Sequence, residues 1–198
     1  MSATAPAVHG LVLAGGASRR MGRDKAALEY HGRPQLHWAF ERLRAVCATS
    51  YVSVRAEQRD EPARAGLPQL VDLHEGIGPL AGIVAAQARH PDAAWLVLAC
   101  DLPFLDGSTL EFLLEQRDPG ADATAFRSSH DGLPEPLCAI YEPHARAELA
   151  RRAESGPHCP RKFLLQARTR LLELPSRAAL DNVNTPDELA AALGRLAS

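Results

Sequence analysis

The sequence predicts an α/β fold, a Rossmann-like three-layer sandwich with a mostly parallel sheet and helices on both faces. Three observations lead there. Apolar runs of strand length alternate with helical patterns along the first half of the chain, which is the signature of a parallel sheet. The run Ala94 to Ala99 (AWLVLA) is apolar at every position, as a central parallel strand covered on both faces must be. The first apolar run, Val8 to Leu13, opens directly into a glycine-rich basic loop.

The elements follow in order. Val8 to Leu13 reads as a buried strand. After Pro34, the positions Leu36, Ala39, Phe40, Leu43, Val46 and Cys47 recur at helical spacing. Tyr51 to Val54 is the next strand, and Leu70-Val71-Asp72 a short third one. Pro79 to Arg89 is a helix with Leu80, Ile83, Val84 and Ala88 on one face. Ser108-Thr109-Leu110-Glu111 has the form of a capping box that starts a third helix. In the less regular second half, Ala123 to Phe126 and Leu137 to Tyr141 read as strands, Pro143 to Ala153 and Pro160 to Gln166 as helices, and Arg170 to Leu174 as a further strand. Thr185-Pro186-Asp187-Glu188 combines an N-cap, a proline at the first helical position and a capping glutamate. Leu189, Ala192, Leu193 and Leu196 give that last helix an apolar stripe.

Bulk properties narrow the function. The 198 residues suit one domain, residues 1–198, with an N-terminal half that binds nucleotide and a C-terminal half that binds acceptor. The net charge of −2 argues against a nucleic-acid partner. No apolar run approaches the ~20 residues of a membrane span, and no signal peptide is visible. The four cysteines, Cys47, Cys100, Cys138 and Cys159, form no CxxC pair, so neither a zinc site nor a disulfide framework is suggested. A cytoplasmic location follows as the expectation.

The stretch from Leu13 to Lys25 (LAGGASRRMGRDK) holds three glycines, three arginines and a lysine. Glycines let backbone N–H groups approach a ligand closely, and the basic side chains add charge, so the loop suits nucleotide phosphates. The spacing excludes two common phosphate loops. A P-loop needs four residues between its glycines and then Gly-Lys-Ser/Thr, whereas Arg23 and Asp24 stand before Lys25. The dinucleotide pattern GxGxxG fails because Gly15 and Gly16 are adjacent. What remains is a loop of the pyrophosphorylase kind. In open parallel sheets ligands bind beyond the carboxyl ends of the strands. The glycine-rich loop, Asp72 and Asp101 each follow a strand, so all three are expected along one edge.

The string LVLAGGASRRMGRDKAAL resembles the N-terminal motif of the molybdenum cofactor guanylyltransferases, a branch of the Rossmann-like nucleotidyltransferases. GPLAGI (Gly78 to Ile83), CDLPF (Cys100 to Phe104), EPLCAIY (Glu135 to Tyr141) and NVNTPDEL (Asn182 to Leu189) are similar to later motifs of that family, in the same order. The related cytidylyltransferases typically read LAAG, GDQP and DxDTP where this chain reads LAGG, CDLP and NVNTP. Asp24 before Lys25 departs from the sugar-phosphate branch, which usually has proline there. The resemblance implies transfer of GMP from GTP to the molybdopterin form of molybdenum cofactor, with pyrophosphate released and Mg2+ as cofactor. It also implies transient contact with other cofactor-biosynthesis proteins or apo-molybdoenzymes. CTP as donor, another phosphate acceptor, and a nucleotide-binding regulator without activity stay open as alternatives.

Nucleotidyl transfer to an anionic phosphate needs positioning and charge stabilisation more than a general base. Gly15 and Gly16 are expected to form a backbone nest, and Lys25 to sit on the phosphates. Arg19 and Arg20 are candidates for the β- and γ-phosphates. Asp101 ends an apolar strand, where an unpaired carboxylate is costly, and is the expected metal ligand. Asp72 is placed by the resemblance near the base or sugar. Asn182 and Asn184 alternate and so point the same way in extended backbone, toward metal waters or the acceptor phosphate. The resemblance implies that the main chain at Leu13 and Ala14 contacts guanine. Arg55 stands where the family often has asparagine and is a nucleotide-contact candidate that cannot copy an amide. Arg161 and Lys162, at a helix start, suit an anionic pterin phosphate, and equally an exposed basic turn.

Overall fold

The computed structural model describes residues 5–16, 22 and 24–196. Its strands are β1 (Val8–Leu13), β2 (Thr49–Val54), β3 (Gln69–Val71), β4 (Ala94–Ala99), β5 (Ala123–Arg127), β6 (Pro134–Tyr141) and β7 (Thr169–Leu172). Its α-helices are α1 (Gln35–Val46), α2 (Pro79–Arg89), α3 (Gly107–Glu115), α4 (Arg146–Ser155), α5 (Pro160–Gln166) and α6 (Pro186–Leu196). The strands form one sheet in the order β3-β2-β1-β4-β6-β5-β7. All pairings are parallel except those of β6, which runs antiparallel to both β4 and β5.

The register explains the burial. Leu11 pairs with Val97 and Val12 with Leu98, so equivalent side chains of β1 and β4 share a face. Successive strand residues point to opposite faces. Leu96 and Leu98 therefore join one core with Leu36, Phe40 and Leu43 of α1 and Leu110 and Leu113 of α3. Trp95 and Val97 join the other, with Leu80, Ile83 and Val84 of α2, Leu149 of α4 and Phe163 of α5. Every residue of β4 is buried, as its uniform apolarity predicts. The three layers are thus those expected from the sequence.

Helix α6 joins neither layer. Ala192 and the partly buried Leu189 and Leu196 pack with Leu28, Tyr30 and Val183, over the segment that follows Lys25. Leu193, assigned to the apolar stripe by spacing, is 41% exposed and lies outside that contact.

Several boundaries differ from the sequence reading, each for a local reason. Helix α3 is capped by Asp106, whose carboxylate accepts from the Thr109 amide at 2.8 Å. Ser108 is inside the helix and donates to Asp106 instead. The region after Pro143 is two pieces, a 3-10 turn at Pro143–Ala145 and then α4. Strand β6 begins at Pro134, three residues before Leu137, because Pro134 already pairs with Arg127 across a hairpin. Strand β7 ends at Leu172, before Leu174.

Candidate active site

The strand order reverses between β1 and β4: β2 and β3 lie beyond β1 on one side, and β6, β5 and β7 lie beyond β4 on the other. Such a switch point opens a crevice beyond the carboxyl ends of the two strands. A cleft of about 800 Å3 lies there, lined by Leu13, Ala14, Gly15 and Gly16 after β1, Asp72 after β3 and Asp101 after β4. Lys25 and Arg55 add cationic groups to the lining, and Asp24, Ser53, Glu57, His74 and Glu75 add further polar ones.

Lys25 is fixed from two directions. Its ammonium donates to Asp101 Oδ2 at 2.7 Å and to Asn184 Oδ1 at 2.6 Å. Both Lys25 and Asp101 are mostly buried, with side-chain exposures of 16% and 20%. Asp101 is held by its own backbone, since its carbonyl accepts from the Val183 amide at 3.2 Å. Val183 is buried in the α6 contact, and this fixes the neighbouring Asn184. Glu188 of α6 accepts from the Asn184 amide at 2.6 Å, while Thr185 Oγ1 accepts from the Glu188 amide at 3.3 Å. The capping group of the last helix therefore positions the Asn184 amide against Lys25, which lies near the other end of the chain. Asn182 is exposed, and among the described residues its side chain makes no hydrogen bond. The pair expected from alternation is thus divided: Asn184 faces Lys25, and Asn182 does not join it.

On the β2 side, Asp72 accepts from Ser53 Oγ at 2.6 Å. Burial pushes the Asp72 carboxyl above its ordinary value, against the Ser53 hydrogen bond and the Arg55 charge. Its other oxygen lies 3.0 Å from where a Gly15 Cβ would stand, so glycine lets this carboxylate approach the loop backbone. Among the described residues the Gly15 and Gly16 amides have no hydrogen-bond partner, in keeping with a nest for anions. The Ala14 amide differs. It donates to Ser53 O at 3.1 Å and its carbonyl accepts from Arg64 at 2.7 Å. Arg55 turns its guanidinium to Gln58 at 3.2 Å and to Glu57 at 3.1 Å, at the cleft wall.

The N-terminus of α2 also faces the cleft, through Gly78, Pro79, Ala81 and Gly82. Gly78 caps the helix with φ +64°, a left-handed backbone that favours glycine. Gly82 sits against β1 and β2 so closely that a Cβ would fall 2.3 Å from Ser53 Oγ. The GPLAGI string is therefore a helix start pressed onto the sheet, with its positive dipole end toward the cleft.

Arg19 and Arg20 lie outside the described residues. Arg161 does not present an uncommitted charge: it pairs with Asp131 at 2.9 Å and Glu135 at 3.2 Å, tying α5 to the β5–β6 hairpin. Three contributors were missed. Ser53 orients Asp72, Glu188 orients Asn184, and Leu137 of β6 lines the cleft. Glu188 alone carried a signal, as the capping glutamate.

A glycine-rich loop and a paired lysine and aspartate beyond the β1–β4 switch point define a nucleotide-binding α/β domain. The chain belongs to the family of the MobA-like NTP transferase domain, whose model matches residues 10–171, and is a nucleotidyltransferase. It is 37% identical over 197 residues to a probable molybdenum cofactor guanylyltransferase of Opitutus terrae, covering 95% of this chain and 96% of that one. It is 35% identical over 181 residues to the molybdenum cofactor biosynthesis bifunctional protein of Synechocystis, covering 91% of this chain. The chain spans about half of that protein's length, 52%. Among solved structures, molybdopterin-guanine dinucleotide biosynthesis protein A from Archaeoglobus fulgidus matches with a TM-score of 0.80 and 28% identity, over 96% of this chain and 98% of that one.

Proposed function

We propose that this chain transfers GMP from GTP to the terminal phosphate of the molybdopterin form of molybdenum cofactor, releasing pyrophosphate. The observation that carries the reading is Lys25 held between Asp101 and Asn184 beside the Gly15–Gly16 turn. An acceptor phosphate oxygen attacks the α-phosphorus, one phosphoanhydride bond forms, and the bond to the β-phosphate breaks. The acceptor is already anionic, so the site has to orient two polyanions and stabilise charge rather than remove a proton. Gly15 and Gly16 amides and the α2 N-terminus receive phosphate oxygens, and Lys25 stabilises charge on the departing pyrophosphate. Asp72, Ser53 and Arg55 form the wall for base and sugar.

The donor set fits a hard divalent cation. Asp101 Oδ2 and Asn184 Oδ1 already converge on one cationic nitrogen. Among the described residues no group of three or more His, Cys, Asp or Glu side chains gathers, so water and phosphate oxygens must complete the shell, as suits Mg2+. Bound there, Mg2+ supplies charge neutralisation on the phosphates. The C-terminal half, with Leu137 at the rim, is the proposed acceptor side. No helix among the described residues is long and apolar enough to cross a membrane, and a cytoplasmic site of action is part of this proposal.

The test is transfer of label. The protein is incubated with Mg2+, molybdopterin-bearing cofactor and each α-labelled nucleoside triphosphate in turn. Label moving to the cofactor from GTP alone supports the proposal. Transfer from CTP alone reassigns the donor. Tight GTP binding without transfer makes the chain a nucleotide-binding regulator.

A further inference from the structure

We infer that Arg64 is a positioning residue that staples the two ends of the nucleotide loop together, and so sets where the Gly15–Gly16 amides and Lys25 stand. The inference rests on the function proposed above. It comes from a side chain outside every motif of the sequence.

Arg64 lies in the polar connection between β2 and β3, yet its side chain is fully buried. Its guanidinium reaches the start of the loop, where one nitrogen donates to the Ala14 carbonyl at 2.7 Å. It also reaches the end, where it grips Asp24 with both terminal nitrogens, at 2.6 and 3.2 Å. Glu61 accepts from it as well. Asp24 acts in turn on Lys25: its Oδ1 accepts from the Ala26 amide at 3.1 Å and caps the 3-10 turn Lys25–Ala27. One planar cation therefore ties residue 14 to residue 24, one on each side of the glycine-rich stretch of the sequence.

Stability alone gives a poor reason for such a group. Removing a guanidinium from water costs several kcal/mol, and well-packed apolar residues often replace a buried ion pair without loss. Arg64 Nε is buried without a hydrogen-bond partner, while the terminal nitrogens all serve the loop ends and Glu61. The connection is built around the arginine: Arg64 N donates to Glu61 O at 2.8 Å, and Gln69 Nε2 donates to Arg64 O at 2.8 Å. A lysine could not copy the fork, because it offers one nitrogen where two acceptor sites diverge.

Arg64→Lys and Asp24→Asn test the staple, each checked for a native circular dichroism spectrum. Steady-state transfer should show KM for GTP raised, and kcat lowered, by about 10- to 100-fold in total for a misplaced loop. The double variant should be no worse than the poorer single one, because both break the same link. A second readout needs no substrate: amide exchange should quicken at Ala26, Ala27 and Leu28, and stay unchanged in β4. If Arg64→Lys does not fold, Asp24→Asn decides alone. Folded variants with wild-type KM, kcat and exchange overturn the inference, as do purely additive effects. Should the wild-type chain fail to use GTP, the function proposed above falls, and the exchange measurement still decides the staple.

Discussion

Lys25 carries a positive charge that two distant segments compete to hold, Asp101 after β4 and Asn184 before α6. Replacing it by methionine keeps the length and removes the charge. Lys25→Met and Asp101→Asn should each lower kcat for GMP transfer by about 10²- to 10³-fold, the range for loss of one preorganised charge-stabilising group, with an unchanged fold by circular dichroism. Rates near wild type in either variant would remove these residues from the chemistry. At this scale the sequence was informative where a carboxylate ended an apolar strand, as Asp101 and Asp72 do, since burial makes such a group conspicuous. It was uninformative for Arg64. Arg55, Arg59 and Arg64 share one polar stretch, and only the fold shows which is buried. Alternation placed Asn182 and Asn184 together but carried no account of the Val183 contact that commits only Asn184 to Lys25.

Helix α6 works on the site without lining it. Its capping pair, Thr185 and Glu188, fixes the backbone of Asn184. Glu188→Ala should cost about 1 kcal/mol of stability, as loss of a helix cap does, and should lower kcat more than it raises KM for GTP. Urea titration reads the first effect and steady-state kinetics the second; a stability loss with unchanged kcat would separate the cap from the site. The stack of His31 on Trp38, with ring centroids 4.4 Å apart, makes a comparable link, because His31 also bonds the Pro103 carbonyl of the CDLPF string at 2.9 Å. Elements with one dominant signal were legible to the residue: β1, β4, α2 and α5 fall where periodicity and proline put them. Elements with competing signals shifted, as at α3, where Asp106 rather than Ser108 caps the helix. The reversed direction of β6 was not legible, since a strand's own pattern does not name its neighbours.

Across the whole molecule, stability responds to pH in two windows, one set by a histidine and one by carboxylates. Near the amino ends of β1 and β4, His9 lies beside His90 and Trp95, with ring centroids 4.7 and 5.3 Å away. Burial, and then the charge of His90, hold the His9 imidazole below its ordinary 6.5. The unfolded chain therefore takes up this proton more readily, so stability rises with pH across the window. Stability from His9 is present above 6.5 and is lost as pH falls through the lowered folded value. Asp106 acts further into acid. Burial opposes its charge, but hydrogen bonds from Thr109 and Ser108 and the charge of Arg42 hold it below its ordinary 3.8. Its stabilisation is lost as pH falls through that lowered value. Denaturation midpoints followed from neutral pH downward should fall in two stages, and His9→Gln should flatten only the upper one. An unchanged upper stage would remove His9 as its source.

The antiparallel course of β6 also has an architectural outcome. A parallel strand would leave the sheet at the cleft rim and need a crossover helix to return. Strand β6 instead begins at that rim, straight from a tight hairpin in which the Ser128 amide donates to Leu133 O at 2.8 Å. Hairpin loops tolerate insertion, because extra residues extend into solvent and leave the ladder behind them in register. The hairpin loop ahead of Leu137 can thus change in length without moving the strand that carries Leu137 to the cleft, while β1, β2 and α2 keep their places.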